Sequence, residues 1–381
     1  MSGQVSVTKP LNQRAILGPN RLKLGIFGAN CSSGLAATTV EERWQATWDN
    51  NAALAKLADD AGIEFMLPIA RWRGYGGASN FQNSTLETIT WACGLLAATR
   101  RLSVFGTVHV PLVHPIFAAK QFVTVDLVGR GRFGINLVCG WNQDEFDMFG
   151  AAQREHDARY DYADEWLSIV EGLWSSSKPF DFDGRYFKLR SVVGDPKPFN
   201  STRPLLMNAA ASPAGRMFSV RRSDVLFTTL LDLESASKSV RDIKAFALQN
   251  GNDRLEIFTH VYVVCRETRR DAENYHHHYA VEHADWGAVE RLATMQELHT
   301  RGRPQELRDK LKFRIAGGHG GLPVVGDPDD VVAKLIDVAK AGFAGCAVTF
   351  VDYLNEFPFF VERVLPRLER AGLRHAADAP H

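Results

Sequence analysis

The residues best suited to chemistry lie where apolar runs end. Gly131-Arg132-Phe133-Gly134-Ile135-Asn136-Leu137-Val138-Cys139-Gly140-Trp141-Asn142-Gln143-Asp144-Glu145 reads as a buried strand with Asn136 in its middle, leaving through Gly140-Trp141 into an acidic loop at Glu145. A buried carboxamide costs free energy unless it is paired, so Asn136 is either bonded to neighbouring backbone or held ready for a ligand. Thr107-Val108-His109 closes a second apolar run with a hydroxyl and an imidazole, the side chain whose ordinary pKa lies near neutrality. Ala70-Arg71-Trp72-Arg73-Gly74-Tyr75-Gly76-Gly77 offers positive charge and π-surface on a backbone whose glycines permit close approach. Ala209-Ala210-Ala211-Ser212-Pro213 joins small residues, a hydroxyl and a helix start, and the free N–H groups of a helix N-terminus suit a phosphate.

Plainer roles fit the same residues. Ser212 before Pro213 is also an ordinary N-cap. Arg71 and Arg73 also fit as surface charges, His109 as a satisfied core histidine, and Trp141 as a plug at one end of the fold. His276-His277-His278 are consecutive and point to different faces of a helix, which argues against a shared metal site. There is no HExxH, no pairing of two histidines and a carboxylate on one element, and no GxSxG elbow. A chain with neither metal ligands nor an activated nucleophile is expected where a cofactor carries the hard chemistry.

Positioning these groups requires a regular framework, and strand-like and helix-like segments alternate almost throughout. Strands are predicted at Leu22–Phe27, Ile63–Pro68, Leu102–Val108, Arg132–Val138, Leu205–Asn208, Val225–Thr229, Leu255–Cys265 and Cys346–Val351. Helices are predicted at Trp44–Ala61, Leu86–Thr99, from Pro115 to about Val128, Ala158–Trp174, Leu233–Gln249, from Asp271 to about Val289, Val331–Ala341 and Phe357–Ala371. Gly62 marks one C-terminus, and Asp327-Pro328-Asp329-Asp330 marks an N-terminus with its cap, its proline and its first-turn acids. This alternation implies a parallel sheet with crossover helices. Spacing does not separate a closed barrel from an open doubly wound sheet, although no GxGxxG follows the first strand. On a barrel, all the groups above converge at the C-terminal ends of the strands.

Residues 1–20 read as an N-terminal extension and 21–375 as one domain with insertions near 178–203 and 300–325. The first insertion contains a hairpin turning at Asp183-Gly184, and Asn30–Glu42 reads as a loop of small and polar residues. The second insertion is basic, then glycine-rich from Gly317 to Gly321, and reads as a lid.

Composition narrows the class. The 381 residues are 45% hydrophobic and 23% charged, with 44 basic against 44 acidic side chains. This balance speaks against a chain-wide commitment to nucleic acid or membrane. Cys31, Cys93, Cys139, Cys265 and Cys346 are odd in number, far apart and free of CxxC, which fits reduced thiols and a cytoplasmic setting. Neither a signal-peptide core nor a bilayer-length apolar run occurs.

Several segments, taken in order, carry a resemblance. Arg73-Gly-Tyr-Gly-Gly77, Gly131 through Trp141, Arg159-Tyr160-Asp161-Tyr162, and Thr349-Phe350 through Glu362-Arg363 resemble the bacterial luciferase-like flavin-dependent monooxygenases. The similarity runs from about Leu22 to Leu373 and is nearest the branch of the pyrimidine and dimethyl sulfone monooxygenases. It implies a TIM (β/α)₈ barrel that takes reduced FMN (FMNH2) from a separate NAD(P)H flavin reductase by diffusive transfer. It also implies use of O2 to oxygenate a small organic substrate, and a homo-oligomer, dimer or tetramer. Position by position, Ala70 and Arg71 match residues beside the isoalloxazine, and Asn136 and Glu145 match flavin contacts. Arg159 and Tyr160 match the ribityl-phosphate end, and Ser212 matches the phosphate-binding serine.

Thr107 with Asn136 matches the pair flanking flavin N5, which implies an oxygen adduct there with both side chains donating hydrogen bonds to the developing oxygen anion, and His109 is placed as an acid or base. The chain departs from the pyrimidine branch at His109 and across Arg73 to Phe81. Trp72, Arg73, Phe81 and Trp141 make the expected pocket more aromatic and suited to an apolar or aromatic substrate, which speaks against uracil. Two other readings fit the same barrel: a deazaflavin-dependent oxidoreductase and a flavin-binding protein without catalysis.

Overall fold

The computed structural model describes residues 15–210, 212–230, 232–297 and 305–376. Its strands are β1 (Lys23–Phe27), β2 (Phe65–Leu67), β3 (Ser103–His109), β4 (Phe133–Val138), β5 (Phe180–Asp183), β6 (Lys188–Val192), β7 (Leu205–Ala209), β8 (Val225–Phe227), β9 (Glu256–Cys265), β10 (Leu322–Gly326) and β11 (Gly345–Thr349). Parallel pairing runs β1-β2-β3-β4-β7-β8-β9-β11 and returns from β11 to β1, so eight strands close a barrel with helices around it. The fold is therefore a TIM barrel, as the resemblance implied. β5 and β6 form a separate antiparallel hairpin.

The barrel closes around large residues set against small ones. Phe65, Phe105 and Phe258 fill the interior, with Phe65 5.4 Å from Phe258 and 6.2 Å from Phe105. Gly25, Gly134 and Gly345 make room for them: a Cβ on any of the three would fall within 2.3–2.6 Å of one of these rings. Such alternation of bulk fills a small barrel without voids. Leu24, Ile26, Val104, Leu206 and Ile257 face the helices in a larger outer core. Adjacent strand residues point to opposite faces, so the inward set Phe105-Thr107-His109 and Gly134-Asn136-Val138 climbs from the aromatic plug to the mouth.

Two expectations are corrected here. Residues 305–325 do not form an inserted loop: Gln305–Gly318 is a helix and Leu322–Gly326 is β10, while 300–304 lie outside the described residues. Leu307, Leu311 and Ile315 carry the helical spacing, and Pro323 disguised the strand. β10 pairs only with β9, so it tolerates a residue without an N–H. Gly317 and Gly318 do not form an exposed lid. They end the helix against the Tyr262 ring, where a Cβ on either would lie 2.6 Å from it, and Gly317 accepts a hydrogen bond from the Tyr279 phenol (3.0 Å).

The helix expected from Asp271 is also divided. It runs Arg269–His277, passes through a π-helical turn at His278–Glu282, and restarts at Trp286–Glu297. All five cysteines are free, and four of them are buried. No helix among the described residues is long and apolar enough to cross a membrane.

Candidate active site

The mouth of the barrel holds a cavity of about 280 Å³. Phe27, Thr107, His109, Asn136, Ala209, Phe227 and His260 supply its floor and walls from successive strands, and Ala70, Arg71, Trp141, Gln296 and His319 supply its rim.

Asn136 stands opposite Thr107 in the β3–β4 register. Its amide nitrogen donates to the Thr107 hydroxyl (3.2 Å), and that hydroxyl donates to the Pro68 carbonyl (2.7 Å). The Thr107 hydroxyl has one proton, and Pro68 takes it. Thr107 therefore has to accept from Asn136, which leaves the Asn136 carbonyl oxygen buried without a partner among the described residues. An orphaned acceptor in a polar, open cavity is a ligand contact in waiting.

Beside this pair lies a buried ionic cluster. Arg71 and Glu145 are 3.0 Å apart with side chains 4% and 2% exposed. The same Glu145 oxygen accepts the Trp72 N–H (2.8 Å), so one carboxylate both neutralises Arg71 and fixes the loop after β2. The Arg71 guanidinium also lies 4.9 Å from the Tyr75 ring centre and 5.5 Å from that of Trp141. Burial by itself would lower the Arg71 pKa, but Tyr75 and Glu145 raise it above its ordinary value, so Arg71 stays cationic.

His109 Nδ1 is 3.5 Å from the second Glu145 oxygen. Burial outweighs that carboxylate and pushes the His109 pKa down to about 4. Burial likewise takes His260 down to about 4 and His319 to about 3. At neutral pH the mouth is thus lined by three neutral imidazoles and a self-compensated ion pair. His260 stacks on Phe227 (5.8 Å) at the wall of the cavity.

Past the end of β7, Ser212 caps the helix Pro213–Arg222, and its hydroxyl accepts the Gly215 N–H (3.2 Å). The Tyr160 phenol is 3.4 Å from that hydroxyl. Gly215 lets the helix start pack closely here, since a Cβ would lie 2.4 Å from the Tyr160 phenol oxygen and 2.7 Å from the Ala210 Cβ. A helix N-terminus of this kind suits an anion.

Residues 23–345 match the family model for luciferase-like monooxygenase. The chain belongs to this family. It is 28% identical over 366 residues to pyrimidine monooxygenase RutA of Enterobacter sp. (strain 638), covering 91% of this chain and 96% of the relative. It is 29% identical over 351 residues to the FMNH(2)-dependent dimethylsulfone monooxygenase of Pseudomonas fluorescens (strain Pf0-1), covering 91% and 94%. Among solved structures, DmoA from Hyphomicrobium sulfonivorans superposes with a TM-score of 0.84 at 20% identity over 95% of this chain and 90% of that one. The chain is accordingly a flavin-dependent monooxygenase.

Within this luciferase-like barrel, the expected site residues fall into three groups. Asn136, Thr107, His109, Ala70, Arg71 and Trp141 meet at the mouth, with Glu145 behind them. Ser212 and Tyr160 meet at the anion-accepting helix end. Arg159 lies nearby but spends its guanidinium on backbone, donating to Arg154 O (2.7 Å) and Gly140 O (2.8 Å), which holds the turn after β4.

The third group is corrected. Arg73 is exposed and lines neither the mouth nor a smaller side cavity of about 90 Å³ next to it. Phe81 is fully buried in a separate cluster with Tyr75 and Leu292, because Gly74 lets the loop fold back on itself. Trp72 is 46% exposed and lines the side cavity rather than the mouth. Two corrections concern chemistry. Thr107 does not present a donor to the mouth, since its proton is committed to Pro68. His109 does not titrate near neutrality, since burial keeps it neutral.

His260 and His319 were not anticipated. His260 was legible, because it is the next inward residue after Phe258 on β9. His319 was not: it reaches the mouth from a positive-φ turn (φ 53°) between a helix and a strand whose glycines and proline give both the look of one loop in sequence.

Proposed function

We propose that this chain is the oxygenating component of a two-component system. It takes reduced FMN from a separate reductase and uses dioxygen to oxygenate a small, uncharged organic molecule. The observation that carries this reading is the orphaned Asn136 carbonyl oxygen at the mouth. It calls for an N–H donor, and the nitrogen edge of a reduced isoalloxazine supplies one. The residues present fit FMN: the uncharged aromatic walls at Phe27, Phe227 and Trp141 suit the ring, and the N-terminus of the helix Pro213–Arg222, with the Ser212 and Tyr160 hydroxyls beside it, suits the phosphate. Bound there, the cofactor would supply dioxygen activation.

The protein's own contribution is positioning and exclusion. Glu145 holds Arg71 and the backbone of Trp72 in place. Thr107 fixes the orientation of the Asn136 amide, and preorganised dipoles of this kind act strongly in a water-poor site. The Thr107–Asn136 pairing supports chemistry directed to the nitrogen edge of the ring. The neutral lining of the mouth supports an uncharged substrate.

The test is anaerobic titration with FMNH2, followed by turnover with a general flavin reductase, a substrate panel and labelled dioxygen. Ser212→Ala should weaken FMNH2 binding by about tenfold to a hundredfold, as loss of a hydrogen bond to a charged group costs about 1.5–3 kcal/mol. Asn136→Ala should keep FMNH2 affinity within a few-fold while abolishing product formation. Unchanged binding in the first variant and full label incorporation in the second would overturn the reading.

A further inference from the structure

A second cavity of about 90 Å³ lies beside the mouth, between the helix Thr88–Ala98 and the helix Pro115–Val128. Ala70, Arg71, Thr107 and His109 line both cavities and form the wall between them. Ile89, Leu112 and Val113 give the side cavity apolar walls. Its outer rim is Trp72, which meets Phe149 edge-on at 5.1 Å. Both aromatics are more than two-fifths exposed, and they sit on different loops.

The charged groups in its wall are already engaged. Arg71 is paired with Glu145. The Glu87 carboxylate caps its helix, accepting the Ile89 and Thr90 N–H groups at 3.0 and 2.8 Å. The Thr88 hydroxyl donates to the Thr107 carbonyl (2.6 Å).

We propose that this side cavity is the passage by which dioxygen reaches the reacting edge while the cofactor occupies the mouth. The inference rests on the flavin reading above and adds a route to it. A ring seated across the mouth obstructs entry from above, and the wall behind it, at Thr107 and His109, is the one shared with the side cavity. The passage offers nothing to an ion and little to a polar solute, and a cavity of this size holds only a few small atoms. An apolar cavity of roughly 150 Å³ takes benzene or xenon, so one of about 90 Å³ suits a diatomic gas better than an organic substrate. Of the two side chains in that wall that meet Glu145, His109 is held less closely (3.5 Å) than Arg71 (3.0 Å).

The test fills the passage from two independent elements, with Leu112→Trp and Gln121→Trp. For each variant the FMNH2 dissociation constant is measured anaerobically. The bimolecular rate of oxidation of the bound reduced flavin is then followed by stopped flow across a range of dioxygen concentrations. Crystals of the unmodified protein are pressurised with xenon. We expect xenon in the side cavity, FMNH2 affinity within threefold of the parent in both variants, and an oxidation rate constant lowered at least tenfold.

An unaltered rate constant in both variants would overturn the route. So would unaltered dioxygen kinetics accompanied by a raised KM for an organic substrate, which would reassign the cavity to that substrate. Failure of all three proteins to bind FMNH2 would instead count against the flavin reading, and the xenon result would still judge the cavity.

Discussion

Glu145→Gln should be among the most destabilising single-atom-scale changes available to this chain. The substitution keeps shape and the capacity to accept the Trp72 N–H, but it removes the carboxylate paired with a buried guanidinium. At 3.0 Å and an effective dielectric constant of about 20, that pairing is worth roughly 5–6 kcal/mol of Coulomb energy. Arg71 side-chain exposure is 4%, so water recovers little of it. A retained hydrogen bond from Arg71 to the new amide returns part of the loss. The net expectation is about 3–5 kcal/mol, the range typical of stripping one partner from a buried pair. That is a large fraction of the 5–15 kcal/mol that holds an ordinary domain folded.

Urea unfolding of the cofactor-free protein measures it, with Arg71→Met and the double variant completing a cycle. The double variant should recover most of the loss, since it buries neither charge. A Glu145→Gln loss below 1 kcal/mol, or a double variant no more stable than the worse single, would refute the claim that Arg71 depends on this one carboxylate.

Three further outcomes are expected. The buried histidines should make the protein acid-sensitive. His109 and His260 bind protons near pH 4 when folded and near 6.5 when unfolded, so stability is fully present above about 6.5 and is lost as pH falls towards 4. Each corresponds to roughly 3 kcal/mol, and replacing His260 by Phe should flatten the urea midpoint between pH 6.5 and 4.5. Gly25→Ala places a Cβ 2.3 Å from the Phe65 ring and should cost about 1–3 kcal/mol by overpacking, with Phe65→Leu in the same chain relieving it. Phe81→Ala should lower stability by about 3–5 kcal/mol through a buried cavity while leaving FMNH2 affinity within a few-fold, because the ring packs behind His319 and Trp141 and does not itself line the mouth.

How far the sequence could be read depends on which physical signal each residue obeys. The barrel strands were legible because apolar runs of strand length alternate with amphipathic helices, and all eight ring strands lie where those runs occur. Thr107 and Asn136 were legible as polar breaks in such runs, and strand pairing does set them side by side. β10 escaped because a proline and flanking glycines imitate a loop, a disguise that only its place outside the ring permits. Phe81 misled because a large aromatic beside a glycine-rich loop fits a pocket wall and a satellite core equally well, and only the contact with the segment after Asp285 decides between them.

The least legible property is where each proton goes. Thr107 looked like a donor, yet the register of β2 against β3 brings the Pro68 carbonyl within 2.7 Å and claims its only hydrogen. That single commitment turns the Asn136 amide so that its oxygen, not its nitrogen, is left over. Residue type and strand position can nominate a polar pair at a barrel mouth. Which member donates follows from one backbone carbonyl just past the end of a third strand, at Pro68, and the site therefore presents an acceptor to its ligand where the side-chain types alone suggest two donors.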